Sequence, residues 1–319
     1  MDAVSLKQQL THQCTLLGFD LLRVSSVEAV LNEVGNHEKW LERGYGGDMH
    51  YLYRDPAKRY DPRHLLPECR SVIVLAASYY HHNADYAEHG EGRVARYAWG
   101  DNYHNVLTPR LKQLGRWLDG MLDGHSWRVT VDSSPLAEKA FAVAAGIGMR
   151  GRNSLVVNRE IGSYFFLGCI LSSAELPVDD PVDYSCGTCT RCVTACPQDA
   201  LTGPGILKAD RCISYLTTEC KDEVDGSVDL QEWLFGCDTC QQVCPFNYSP
   251  LQSIIHRFAP RKEIREARAS RIVSMKDEEF RTTFEGSVFI RRKFHRVQAQ
   301  ARAIMEQAGR CRMNAGEPE

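Results

Sequence analysis

Apolar positions at the start of the chain recur at helical spacing. In residues 4–17 (VSLKQQLTHQCTLL), Leu6, Leu10 and Leu17 fall on related turns, and Gly18 is placed to end a helix. FDLLRV (19–24) then predicts a strand, and residues 26–44 a helix ending at Gly44. Residues 45–67, rich in Tyr, Arg, Asp, Gly and Pro, predict a long ordered loop, a type of segment that often carries function. SVIVLAASYY (71–80) is apolar and β-branched at its opening, the pattern of a buried strand. Residues 108–122 are amphipathic, and Pro109 suits the first helical position. WRVTVD (127–132) predicts a strand and residues 135–145 a helix. Residues 154–158 and 163–173 predict a hairpin.

Three regions follow from this pattern. Residues 1–180 read as a mixed α/β (α+β) domain with a sizeable core. Residues 176–181 read as a Pro/Asp-rich linker, 181–250 as a cysteine-rich module, and 251–319 as a helical segment, broken near Gly286 between two amphipathic stretches.

Composition narrows the class. With 319 residues, 43% hydrophobic and 25% charged, the chain has the balance of a globular protein. It has no run of about 18 apolar residues, so no membrane span is expected. The start, MDAVSLKQQL, lacks the basic and apolar regions of a secretory signal. Nine of the 13 cysteines fall between Cys186 and Cys244, which points to metal in a reducing cytoplasm rather than to a disulfide framework. Residues 256–319 carry 15 Lys and Arg against 9 Asp and Glu, whereas the chain as a whole has a net charge of −3. Such a basic segment either contacts a polyanion or forms a solvated helical face.

The cysteine spacing is the strongest chemical signal. CGTCTRCVTACP (186–197) is C-x2-C-x2-C-x3-C-P, and CDTCQQVCP (237–245) repeats it without the first cysteine. The first run is the bacterial ferredoxin pattern for 4Fe–4S clusters, in which the fourth cysteine serves the other cluster. Two cubanes need eight thiolates and the two runs supply seven. Cys212 and Cys220 compete for the eighth place, with Cys212 favoured because RCISYL looks like an ordered element. The crossover rule then groups Cys186, Cys189, Cys192 and Cys244 on one cluster. Cys196, Cys212, Cys237 and Cys240 take the other. Zinc ribbons seldom show this spacing.

Other motifs are weaker. GIGMRG (146–151) matches G-x-G-x-x-G, but a helix precedes it and a strand follows, the reverse of the dinucleotide-binding order. A helix cap at Gly146 and a tight turn explain it better. Asp132, at a strand end before Ser-Ser-Pro, is either a turn carboxylate or a general acid. The stretches 53–62 and 93–107 mix Arg, Tyr, His and Asp and suit either a large polar ligand or plain surface. Residues 123–125 (Asp-Gly-His) begin like the D-x-H-x-x-G corrinoid signature, but position 128 is Arg.

Taken in order, VDSSPLAEKAFAVAAGIGMRGRNSLVVNREIGSYFFLG (131–168), CGTCTRCVTACPQDAL, RCISYLT, GCDTCQQVCPFN (236–247) and FEGSVFIRR (284–292) resemble the epoxyqueuosine reductase family. The resemblance runs from about residue 5 to about residue 300. It implies a nitroreductase-like cobalamin-binding domain followed by a ferredoxin-like two-cluster module and a short helical segment. It implies two cofactor types, cobalamin and two 4Fe–4S clusters. The implied reaction reduces the epoxide of epoxyqueuosine to queuosine at the wobble position of tRNAs with a GUN anticodon. The family's catalytic acid matches Asp132, and the missing D-x-H-x-x-G signature agrees with cobalamin bound without a histidine ligand. Candidate cobalamin contacts are Arg59, Tyr97, Asp132, Asn153, Ser154, Gly168 and Ser214. Arg291, Arg292, Lys293 and Arg296 are candidates for holding tRNA phosphates. An external donor of flavodoxin or ferredoxin type and a cytoplasmic monomer complete the expectation. The competing readings are a corrinoid reductase of another substrate, such as a reductive dehalogenase, and a non-catalytic electron-transfer subunit.

Overall fold

The structure, a computed structural model, describes residues 2–82, 86, 92–222, 224 and 228–315, the last six of these as backbone only. The first helix, α1 (Ala3–Leu16), starts at Asp2, whose carboxylate accepts from the Ser5 N–H at 2.9 Å, and buries Leu6, Leu10 and Cys14. Four strands form the central sheet: β1 (Leu21–Ser26), β2 (Ser71–Ser78), then β4 (Trp127–Thr130) and β7 (Phe165–Ser172), each defined here by its place in the chain. Their order is β1-β2-β7-β4, every neighbouring pair antiparallel. Ile73 pairs with Val24 on one side and Ile170 on the other. All eight residues of β2 are buried, because both faces of the sheet are covered. Side chains alternate: Ile73, Leu75 and Ile170 pack toward α1 and α4 (Tyr103–Asp119). Val72, Val74, Cys169 and Leu171 face α5 (Glu138–Ala144).

The expected mixed α/β architecture is present, with four local corrections. Residues 26–44 are helical only in the second half, as a 3₁₀ turn at Leu31–Glu33 and α2 (Val34–Glu42). Val27 and Val30 instead bury themselves under the sheet, and that packing overrides helix propensity. Helix α4 begins five residues before 108, capped by Asn102, whose side chain accepts from the His104 N–H. Pro109 is therefore internal, and the Asn105 carbonyl that loses its helical donor accepts from Arg257 at 3.4 Å. Residues 163–173 do not form a hairpin with 154–158. Strand β6 (Val156–Val157) pairs with β5 (Met149–Arg150), which frees β7 for the sheet centre. Residues 176–181 are strapped down: the Val24 N–H donates to Asp179, the Asp179 N–H donates back to Val24, and Lys7 pairs with Asp179 at 2.8 Å.

Gly146 ends α5 as the spacing predicts. Its φ is +77°, its N–H donates to the Val143 carbonyl, and the Ile147 N–H donates to Ala142. A Cβ there would lie 2.2 Å from the Asp180 carbonyl oxygen, so the turn also needs glycine for close approach.

The cysteine-rich region contains α6 (Arg191–Thr194), the hairpin β8–β9 (Leu201–Gly203 and Ile206–Leu207), α7 (Ile213–Thr218), β10 (Trp233–Phe235) and α8 (Thr239–Gln242). It is stitched to the first region by the parallel pairing of β10 with β3 (Arg93–Val94). The C-terminal helices α10 (Ala269–Ser274), α11 (Asp277–Thr283) and α12 (Phe294–Ala315) close a separate core around Phe280, Phe284, Phe289, Val297 and Ile304. Gly286 has φ +77° and separates α11 from α12, as expected.

Candidate active site and cluster module

Two adjoining cavity compartments, about 410 Å³ and about 800 Å³, open between the sheet and the cysteine-rich region. They share Asp132, Glu138, Lys139, Leu155, Val156, Leu207, Cys212 and Ser214 in their walls. The smaller is floored by aromatic and aliphatic groups from β7, including Phe165, Phe166 and Leu167, with Tyr97 and Asn153 beside them. The larger is lined by Arg59 and Ser154 among others. Six candidate contacts, Arg59, Tyr97, Asp132, Asn153, Ser154 and Ser214, thus lie on one continuous cavity. Gly168 does not. It lies in β7 with its missing side chain aimed at Leu111 of α4, and it lines neither compartment.

Asp132 sits two residues past β4 with φ +57°, the left-handed region that an Asp tolerates better than most residues. Its carboxylate is 63% exposed. Tyr103 donates its hydroxyl to Asp132 Oδ2 at 2.7 Å, and His104 Nε2 stands 4.0 Å from the same oxygen. His104 is oriented by a 2.9 Å bond from Nδ1 to the Val131 carbonyl, which makes Nδ1 the protonated nitrogen. Burial pushes the His104 pKa down, so the neutral ring is favoured. Behind Asp132, Glu138 Oε1 accepts from the Asp132 N–H at 2.9 Å and from the Thr130 hydroxyl at 2.8 Å. Burial pushes its carboxyl up to about 7. Lys139 lines both compartments, and desolvation lowers its pKa. Tyr103, Glu138 and Lys139 were missed as site residues. Tyr103 falls in the polar 93–107 stretch, whereas Glu138 and Lys139 look like any amphipathic helix start.

The cysteines fall into two groups. Cys196, Cys212, Cys237 and Cys240 all line the wall of the smaller compartment. Cys212 is the residue before α7, on the ordered element expected for it. Desolvation raises the thiols of Cys212 and Cys240 and pushes Cys237 up to about 12, so free thiolates are disfavoured there and metal ligation would relieve the cost. The second group is held together around Cys192 and Cys244. Cys186 and Cys244 act electrostatically on Cys192, and Cys186 and Cys189 on Cys244. Cys192 also acts on Cys240, which makes the two groups neighbours. Among the described residues no three or more His, Cys, Asp or Glu converge as ligands of a single ion would. Thiolates that each hold a different iron of a cubane need not converge so tightly. Cys220 lies elsewhere, its sulfur 4.0 Å from Asp48 Oδ2. Cys14, Cys69 and Cys169 are buried in the main core, and the side chain of Cys311 lies outside those described.

The basic C-terminal candidates separate. Arg291 and Lys293 are exposed, and Arg291 Nη1 is 3.2 Å from His104 Nε2. Arg292 is only 4% exposed and donates to the carbonyls of Cys220 and Leu216. Arg296 donates to the same Cys220 carbonyl at 3.0 Å. For Arg292 the phosphate assignment is therefore corrected: its guanidinium saturates backbone at the end of α7 and does not face water. Arg296 is half-buried and committed to the same carbonyl.

A family model described as Epoxyqueuosine reductase QueG, DUF1730, matches residues 59–133, and one described as a 4Fe-4S double cluster binding domain matches residues 185–247. An epoxyqueuosine reductase of Cyclobacterium marinum is 36% identical over 296 residues, covering 92% of this chain and 94% of its own length. The Escherichia coli epoxyqueuosine reductase is 35% identical over 301 residues, covering 92% and 79%. Among solved structures, an epoxyqueuosine reductase with an epoxyqueuosine-modified tRNA-Tyr stem loop superposes with a TM-score of 0.85 at 29% identity, over 94% of this chain and 81% of that one. A Bacillus subtilis epoxyqueuosine reductase, described with its aspartate catalytic loop swung out of the active site, superposes with a TM-score of 0.86 at 26% identity, over 99% and 87%.

Proposed function

The chain belongs to the epoxyqueuosine reductase family, and on that premise we propose that it reduces epoxyqueuosine in tRNA to queuosine with cobalamin in the cavity and Asp132 as proton donor. The observation that carries this reading is one shared cavity: Asp132 lines both compartments, and four cluster cysteines line the wall of one.

The residues present fit a corrinoid. The floor is apolar and aromatic, as a flat macrocycle face requires, and Arg59, Asn153, Ser154 and Ser214 offer polar contacts around it. Among the described residues that line the cavity, His37 is the one histidine. Both its ring nitrogens are engaged, with the Tyr60 hydroxyl at 3.0 Å and the Leu52 carbonyl at 3.3 Å. This suits a cofactor held without a histidine ligand. Bound there, cobalamin supplies the low-potential reducing chemistry that opens the epoxide.

The chain's own residues supply the rest. Cys196, Cys212, Cys237 and Cys240 would hold the inner cluster against the cavity. Cys186, Cys189, Cys192 and Cys244 would hold the outer one, where an external donor delivers electrons. Reduction of the epoxide to the alkene takes two electrons and two protons, breaks both C–O bonds and releases the oxygen as water. As the first bond breaks, its oxygen gains negative charge. Asp132 would protonate it, with Tyr103 fixing the carboxyl through Oδ2. Arg291 and Lys293 would hold tRNA phosphates, and the contact of Arg291 with His104 brings that surface to the edge of the Asp132 loop. Residues 1–180, 181–250 and 251–319 then serve as catalytic, cluster and substrate-facing regions. No helix among the described residues is long and apolar enough to cross a membrane.

The test is anaerobic protein with and without added cobalamin, followed by visible spectra, iron and cobalt counts and single turnover on epoxyqueuosine stem loop. Stoichiometric corrinoid uptake and turnover that depends on it are expected. Full turnover in corrinoid-free protein would overturn the reading.

A further inference from the structure

We propose that Glu138 is a positioning residue that latches the Asp132 loop in its working place. The inference rests on the reading of Asp132 as proton donor. Asp132 lies beyond the last residue of its strand, in a left-handed conformation, with a largely exposed carboxylate. Sequence-local bonds give this loop little hold: the Ser133 N–H donates to Val131 and the Leu136 N–H to Ser134. Three side chains from other elements grip it. Tyr103 of α4 binds the carboxylate, His104 of α4 binds the Val131 carbonyl, and Glu138 of α5 binds the Asp132 backbone N–H.

The Glu138 contact fixes the N–H, and the His104 bond fixes the Val131 carbonyl, of the peptide whose rotation would swing the side chain away. The same Glu138 oxygen takes the Thr130 hydroxyl at the end of β4. One carboxylate oxygen therefore ties the strand end, the loop and the helix start together. Without it the Asp132 N–H has no protein partner among the described residues, and one of the bonds that offset the left-handed backbone conformation is lost. The swung-out aspartate loop in the Bacillus subtilis relative means that such a loop has a second position in that protein. Glu138 is the residue here that would select between two positions. It does not exchange a proton with substrate in this role, so an amide oxygen at the same place should serve.

The experiment compares E138A, E138Q, D132N and the double variant D132N/E138A as holoenzyme. In E138A, amide hydrogen exchange across residues 131–136 should speed up while iron and cobalamin content stay near normal. Its kcat should fall by about 10- to 100-fold, the scale of a displaced catalytic group, with KM for the stem loop little changed. E138Q should keep slow exchange and most of the rate. The double variant should be no slower than D132N alone. If E138A does not fold, T130V removes the hydroxyl that orients the carboxylate and should speed loop exchange to a smaller degree. Loss in E138Q equal to that in E138A would overturn the latch, since the charge or proton would then matter. So would unchanged loop exchange in E138A, or in T130V where E138A is unavailable. Near-normal turnover in D132N overturns the acid reading instead, and loop exchange in E138A separates that failure from failure of the latch.

Discussion

Four cations at the start of the last helix, Arg291, Arg292, Lys293 and Arg296, look equivalent in sequence, yet the structure makes them unequal, and salt dependence measures the difference. Each phosphate neutralised contributes a slope of about 0.7 to 0.9 in log affinity against log salt. Four equivalent contacts would contribute about 2.8 to 3.6. The fold leaves Arg291 and Lys293 exposed, whereas Arg292 and Arg296 converge on the Cys220 carbonyl. R291A/K293A should therefore flatten the slope by about 1.4 to 1.8, and adding R292A should flatten it no further. Arg292 acts on stability instead. Hydrogen bonds from charged groups contribute about 1.5–3 kcal/mol each, and Arg292 donates to two carbonyls while buried. R292A should thus cost on the order of 3–5 kcal/mol and lower Tm by several degrees. It should also loosen α7, which starts immediately after Cys212. The assay is anisotropy of a labelled stem loop over a salt series, with thermal melts of the same preparations. A flatter slope in R292A with unchanged Tm, or an unchanged slope in R291A/K293A, would refute the reasoning.

Three further outcomes are expected. D132N should keep both clusters and cobalamin but lose about two to four orders of magnitude in single turnover, the scale of one general acid; a cofactor-replete variant with near-normal turnover would remove Asp132 from the mechanism. Anaerobic protein should carry about eight irons, C212S should lose about four of them, and C220S none; iron analysis showing the reverse pattern would exchange the two cysteines. G146A should cost about 2–4 kcal/mol in denaturant unfolding, because its left-handed φ and the Asp180 carbonyl both oppose a Cβ; a loss under about 0.5 kcal/mol would mean the turn relaxes freely.

Signals carried by local spacing were legible in the chain alone. The two cysteine runs name a cluster type because ligand geometry is set within a few residues of a turn. The Gly146 cap was legible for the same reason, as were the buried β2 run and the break at Gly286. Asp132 could be singled out as a candidate, and the family resemblance gave it a role, but its chemical partners could not be read. What tertiary structure decided lies in contacts between distant segments. Strand β7 joined β2 across some ninety residues rather than its near neighbour, because only the sheet centre buries both of its faces. Pro109 was accommodated inside α4 because Arg257, far along the chain, reaches the Asn105 carbonyl that the proline leaves unpaired. Arg292 turned from a phosphate ligand into a backbone donor because α12 packs it beneath the end of α7. Glu138, Tyr103 and His104 became the holds on the Asp132 loop only when α5 and α4 met the end of β4. Hydrophobic periodicity specifies which face of each element is buried, but not which distant polar group that burial brings within hydrogen-bonding reach.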